Sequence, residues 1–274
     1  MLLNKYCKPI LIAICIGLFI TACTNNDKPA ESPSTPTSAD IVPVQMPYTV
    51  VKTYPHNPKS FTEGLEFHDS TLYEGTGMEK ESRMAIVSLF TGKDLKTIKL
   101  SDQFFGEGIT LLNGKIYQLT YKSGKAFVYD AKTFKKLQEF TYEGEGWGLT
   151  NDGKEIIMSN GSSKIVYRNP ETFAITKTVE VSNEKGAVTN INELELVNGF
   201  IYANIWTTKY IIKINPTTGK VEGYADFAGI LEQYVPGINT QQVDEMNGIA
   251  YDSVGKRFFI TGKYWPRVFE VKFN

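Results

Sequence analysis

EGITLLNGKIYQLTYKSGKAFVYDAKTFKKLQEF, residues 107–140, contains four short apolar runs separated by turn-forming breaks: EGITL, IYQLTY, AFVYDA and KKLQEF. Each run is rich in β-branched and aromatic residues and partly alternates, which is the pattern of a strand. The same phrase recurs along the chain. Five copies begin at EGLEF (Glu63), EGITL (Glu107), WGLTN (Trp147), NELEL (Asn192) and NGIAY (Asn247), with steps of 44, 40, 45 and 55 residues. The second run ends at Gly77, Tyr121, Gly161, Trp206 and Lys263, 14 residues after the start in four copies and 16 in the fifth, where DSVGK lengthens the turn. Four strands per unit at this spacing argue for an all-β chain folded as a five-bladed β-propeller. The competing reading is a β-sandwich with accidental self-similarity.

The fifth copy reaches Asn274 without a fourth strand, and PYTVVKTYP (47–55) lies just ahead of the first copy. This N-terminal strand is expected to complete the last blade, closing the ring and covering an edge that an open array would expose. The propeller is therefore expected over 44–274.

Composition narrows the function. A formal charge of −1 over 274 residues provides no field for nucleic acid. All three cysteines, Cys7, Cys15 and Cys23, precede the repeats, so the body has neither disulfides nor cysteine metal sites. His56 and His68 have no metal-ligand spacing around them and read as loop residues, so no metal site is expected. There is no GxGxxG opening a helix, no GxSxG and no histidine-dependent triad.

The first residues form a separate region. MLLNKYCK carries Lys5 and Lys8, and PILIAICIGLFITA follows as an apolar run of signal-peptide length. The run ends in ITAC, which resembles a bacterial lipobox. On that reading 1–22 is a lipoprotein signal peptide and Cys23 carries the lipid (palmitate). The Pro/Ser/Thr-rich stretch 23–43 then forms a flexible tether to the bacterial cell envelope, periplasmic or on an outer membrane. An ordinary secretory signal cut after Ala22 is the alternative.

Equivalent repeat positions form rings at one mouth of a propeller, because the second strand returns beside the start of the first. The two rings combine acids (Glu63, Glu107), amides (Asn192, Asn247), Lys263 and three aromatics (Trp147, Tyr121, Trp206). A purely structural ring tends toward uniform small or apolar residues. Aromatic walls with a few directed polar groups describe a small-molecule pocket instead, although propeller mouths also collect polar residues simply because they are wet.

At these motifs the chain resembles the plant-type glutaminyl-peptide cyclotransferases, also called glutamine cyclotransferases, which include bacterial members. The resemblance rests on FTEGL (61–65), FGEGITLLN (105–113), GWGLTNDG (146–153), NELE (192–195), YANIW (202–206), MNGIAYD (246–252) and TGKYWP (261–266). It implies a five-bladed propeller that turns the N-terminal glutamine of a peptide into pyroglutamate and releases ammonia. It puts the proton shuttle on Glu107, with Asn192 and Lys263 as further catalytic groups. Trp147, Trp206, Phe105 and Phe61 fall in its substrate pocket. The chain departs from the family twice: Glu63 stands where plant enzymes have glutamine, and Tyr121 where they have tryptophan. Glu63 sets a second carboxylate beside Glu107, with Lys263 of the last blade as a compensating charge. No cofactor is required, the resemblance leaves room for a structural Ca²⁺ in the channel, and the enzyme is expected to be a monomer. Two other readings are a non-catalytic propeller lipoprotein that binds peptides or sugars and, more remotely, a lactonase- or dehydrogenase-like propeller.

Overall fold

The computed structural model describes residues 41–274; the signal segment, Cys23 and the tether up to residue 40 lie outside them. Five sheets follow one another along the chain, and the repeat copies map onto them one by one. Blade 1 has strands Thr62–His68, Thr71–Thr76, Arg83–Val87 and Asp94–Lys99. Blade 2 begins at Gly106–Leu112, blade 3 at Leu149–Asn151, blade 4 at Ile191–Val197 and blade 5 at Met246–Asp252. In blades 1 to 3 the four strands pair antiparallel in sequence order from the inside out, and blades 4 and 5 each add an N-terminal strand at the outer edge.

The expected ring closure is present. Tyr48–Pro55 pairs antiparallel with the last strand, Arg267–Phe273, from Tyr48 opposite Phe273 to Pro55 opposite Arg267. The ladder covers the edge of blade 5 and ties the start of the chain to its end.

The burial pattern explains why the repeat folds this way. Inner strand Gly106–Leu112 is buried at every position, whereas outer strand Lys136–Thr141 is exposed at all but Phe140. Core side chains gather between blades. One cluster joins Tyr73 and Met84 of blade 1 to Ile109 and Phe127 of blade 2. Similar clusters fill the remaining interfaces, ending with Phe259 and Val268 of blade 5 against Leu65 and Leu72 of blade 1. Each blade thus buries both of its faces, and the ring carries its core at five seams.

The glycine recurring second in these phrases has a steric cause. A Cβ on Gly108 would lie 2.5 Å from the Trp147 carbonyl oxygen, the same oxygen that accepts the Gly108 N–H at 2.8 Å. Blade 4 carries Glu193 at this position. Its carboxylate accepts the backbone N–H groups of Leu65 and Ile249, spanning the channel to blades 1 and 5.

Four elements go beyond the repeat. Val44–Gln45 adds a parallel fifth strand to blade 4, and a short hairpin pairs Ser182–Asn183 with Gly186–Ala187. The long step before blade 5 contains helix Ile230–Tyr234 and the 3₁₀ turn Thr240–Gln242.

Candidate active site

The two rings converge on one cavity of about 260 Å³, lined by all nine expected pocket residues: Phe61, Glu63, Phe105, Glu107, Tyr121, Trp147, Asn192, Trp206 and Lys263. Asp244 and Glu245, which the repeat reading did not single out, complete its wall.

Local geometry aims these side chains. Glu63, Glu107, Asn192 and Asn247 are each the second residue of an inner strand. In all four blades the register with the next strand slips there, between Thr62 and Gly64, Gly106 and Ile109, Ile191 and Leu194, and Met246 and Ile249. Such bulges re-aim a side chain at the end of a strand. Tyr121, Trp206 and Lys263 follow directly on second strands ending at Thr120, Ile205 and Gly262. In blade 3 the corresponding residue is Gly161, at φ 77°, and a Cβ there would meet the Trp147 indole at 2.6 Å. A bare glycine therefore makes room for the tryptophan that stands in an otherwise polar slot.

The walls are aromatic. Trp147 and Trp206 meet edge to face with centroids 5.6 Å apart, and the Trp147 Nε1–H donates to Glu145 Oε2 at 3.0 Å. Across the cavity Tyr264, Phe61, Phe105 and Tyr121 form a chain of ring contacts at 5.2, 5.9 and 5.7 Å.

The charged groups are buried. Lys263 Nζ lies 2.8 Å from Glu63 Oε1 and 4.4 Å from the centre of the Phe61 ring, and Asn247 Nδ2 donates to Glu63 Oε2 at 2.9 Å. Burial pushes the Glu63 carboxyl up to about 7, with Lys263 the main opposing influence. Glu107 is raised well above the usual carboxylate range, first by burial and next by the charge of Glu63, while Lys263 opposes both. The two acids and the lysine therefore share one charge balance, as the departure at Glu63 suggested. The buried Asn192 Oδ1 has no hydrogen-bond partner among the described residues. Such an atom costs about 1–3 kcal/mol, a cost a ligand can relieve.

Behind the mouth lies a polar cluster that the sequence reading missed. His56 does occupy a loop, but it is buried. Its Nε2 is 2.8 Å from Glu74 Oε1 and its Nδ1 2.6 Å from the Trp265 carbonyl oxygen. Glu74 also accepts from Ser60, Thr62 and Arg83, so the closing strand, blade 1 and the Lys263 loop are locked together. His68, by contrast, is half-exposed at a strand end.

The channel below the mouth was the place left open for Ca²⁺. It holds Glu66, Glu193 and Glu195, but both Glu193 oxygens already accept backbone N–H groups. Among the described residues no group of three or more acidic, histidine or cysteine side chains is arranged to hold a metal. These side chains do not fit the ion as a cluster, and no step below runs through it.

The raised carboxyls set a pH dependence of stability. Glu63 and Glu66 rise from 4.5 to about 7 and about 8, and Glu107, Glu193 and Glu195 rise too. The folded state holds more protons than the unfolded one across that window, so this contribution is complete below about pH 4.5 and is lost as pH rises toward about 8. Depressed Asp252 acts oppositely, losing its contribution in stronger acid. Thermal unfolding is expected to occur at a higher temperature at about pH 5.5 than at about pH 8.5. A midpoint that rises with pH across this window would contradict the assignment.

The sequence and the fold have known counterparts. A sequence model of the glutamine cyclotransferase family matches residues 20–273. Over 229 residues the chain is 35% identical to the glutaminyl-peptide cyclotransferase of Arabidopsis thaliana, covering 81% of this chain and 70% of that one. The crystal structure of Myxococcus xanthus glutaminyl cyclase is similar with a TM-score of 0.79 and 32% identity, over 85% of this chain and 98% of that one.

Proposed function

Because the chain belongs to the glutamine cyclotransferase family, we propose that its propeller mouth carries out the family's cyclisation, with Glu107 as the proton shuttle. The enzyme converts an N-terminal glutamine into pyroglutamate and releases ammonia. The mechanistic reading rests on a buried carboxyl, Glu107, that lines the same cavity as the 2.8 Å Glu63–Lys263 pair.

The chemistry needs few parts. The neutral α-amine attacks its own γ-carboxamide carbon, a C–N bond forms, and the carbonyl electron pair moves onto oxygen. The attacking nitrogen gives up a proton to a carboxylate. The oxyanion then collapses, the bond to the amide nitrogen breaks, and that nitrogen leaves with the proton as ammonia. One carboxyl can take and return the proton if its pKa lies near the operating pH, which is the direction in which burial moves Glu107. Lys263 and Asn192 are the donors for the oxyanion. The ammonium has three N–H donors, of which Glu63 occupies one. Trp147, Trp206, Phe61, Phe105 and Tyr121 hold the glutamine side chain in the bend the ring closure requires.

Glu63 tunes this pair. Glu63→Gln removes the charge that raises Glu107, so activity is expected to persist while the acidic limb of the pH–rate profile moves downward. Measuring kcat/KM from about pH 5 to about pH 9 for both proteins tests this. An unchanged acidic limb refutes the coupling. An inactive wild type with an active Glu63→Gln variant points instead to a binding propeller silenced by Glu63.

The lipobox and tether support a lipid-anchored enzyme of the bacterial envelope acting on peptides that reach it. Among the described residues no helix is long and apolar enough to cross a membrane. Cys23→Ser is expected to abolish labelling by a fatty-acid probe in a bacterial host, and persistent labelling would remove the lipobox reading.

A further inference from the structure

The extra residues of the long repeat step build a second hollow at the rim of the mouth. Phe227, Ile230 and Leu231 anchor segment 227–245 in the core between blades 4 and 5. Its end is stapled to the catalytic lysine: the Asp244 N–H donates to the Lys263 carbonyl and the Lys263 N–H to the Glu245 carbonyl, both at 2.9 Å. The Trp265 Nε1–H donates to the Asp244 carbonyl at 3.0 Å. Under this segment lies a cavity of about 330 Å³, lined by apolar Phe227, Leu231, Val243 and Trp265 together with charged Lys209 and Glu232. Asp244 and Glu245 line both this cavity and the mouth.

Resting on the cyclotransferase reading of the mouth, we propose that this cavity receives the side chain of the residue following the N-terminal glutamine, favouring apolar side chains and rejecting acidic ones. The reaction consumes only the first residue, so the rest of the peptide must leave the mouth. Over the Asp244–Glu245 sill it meets a largely apolar hollow, where a buried aliphatic side chain gains affinity from leaving water. Glu245 is offset by Lys209 at 3.8 Å, but among the described residues the Asp244 carboxylate accepts only its neighbour's N–H, at 2.8 Å, and repels a second carboxylate. The exit on the opposite side, beyond Phe105 and Tyr121, passes Met78, Glu79, Lys122 and Ser123, where one acid and one cation offset each other.

The test compares kcat/KM of the full-chain enzyme for Gln-Leu, Gln-Gly and Gln-Glu. Gln-Leu is expected to exceed Gln-Gly about tenfold or more, with Gln-Glu below both. Ala228→Trp, at an exposed position lining the cavity, is expected to bring the Gln-Leu to Gln-Gly ratio toward one. Ser123→Trp, on the opposite exit, is expected to leave the ratio high. Equal efficiency for the three peptides, a preference for Gln-Glu, a ratio that survives Ala228→Trp or one that collapses in Ser123→Trp overturns the subsite while leaving the cyclotransferase reading intact. No turnover of any of the three overturns that reading, and the subsite with it.

Discussion

Glu107→Gln is expected to lower kcat by about two to four orders of magnitude while leaving the unfolding midpoint near that of the wild type. The two halves of this expectation share one cause. Glu107 is buried, and burial together with the charge of Glu63 holds its carboxyl well above the usual carboxylate range. Glutamine has almost the same shape and brings no charge to bury, so the site keeps its volume and the fold survives. It removes the group that takes up and returns the proton. A structural role for Glu107 would cost stability and leave the rate of properly folded enzyme nearly intact, which is the opposite outcome. Near-wild-type turnover in this variant would remove the assignment.

Lys263→Met is expected to cost about 10²–10³ in kcat, the usual price of one oxyanion donor. Methionine keeps most of the stem, but the ammonium, 2.8 Å from Glu63 and 4.4 Å from the centre of the Phe61 ring, is lost. Removing one partner of a buried ion pair ordinarily destabilises by about 3–5 kcal/mol, because it strands a charge. Glu63 has a way out. Lys263 is the largest influence lowering its pKa, so without the lysine the carboxyl takes up a proton and stays neutral. The variant is therefore expected to fold, with a larger fall in kcat than rise in KM. A change confined to KM would make the lysine a uniform binding group that does not stabilise the transition state.

Much of this architecture can be read from the repeat. The five phrase starts locate the inner strands because each blade must bury both faces, and that need imposes the same apolar pattern on every copy. The missing fourth strand of the fifth copy points to PYTVVKTYP for the same reason, since an open edge has to be covered. The pocket residues can be read because propeller symmetry brings equivalent positions to one mouth, where Glu63, Glu107, Trp147 and Asn192 break the uniformity.

What could not be read depends on contacts between copies. The bulges that turn Glu63 and Glu107 inward leave no trace except the glycine beside them. His56 looks inert in sequence because its partners, Glu74 and the Trp265 carbonyl, lie 18 and 209 residues away. Asn247 appears in the ring, yet its work is to hold Glu63, which only the 2.9 Å bond reveals. Asp244 and Glu245 sit in the segment that makes the last step long, so they have no counterparts in the other copies to mark them. The length of that step was the available signal.

Turnover of N-terminal glutamine through Glu107 can be followed by measuring ammonia and pyroglutamyl-alanine together from Gln-Ala. Wild type and Glu107→Gln are compared at equal concentration, with Gln-Ala binding to each measured calorimetrically. Equimolar ammonia and pyroglutamyl-alanine are expected from the wild type, with a variant that still binds the peptide but releases both products at least about a hundredfold more slowly. Peptide binding without ammonia release by the wild type, or equal rates in the two proteins, would contradict turnover through Glu107.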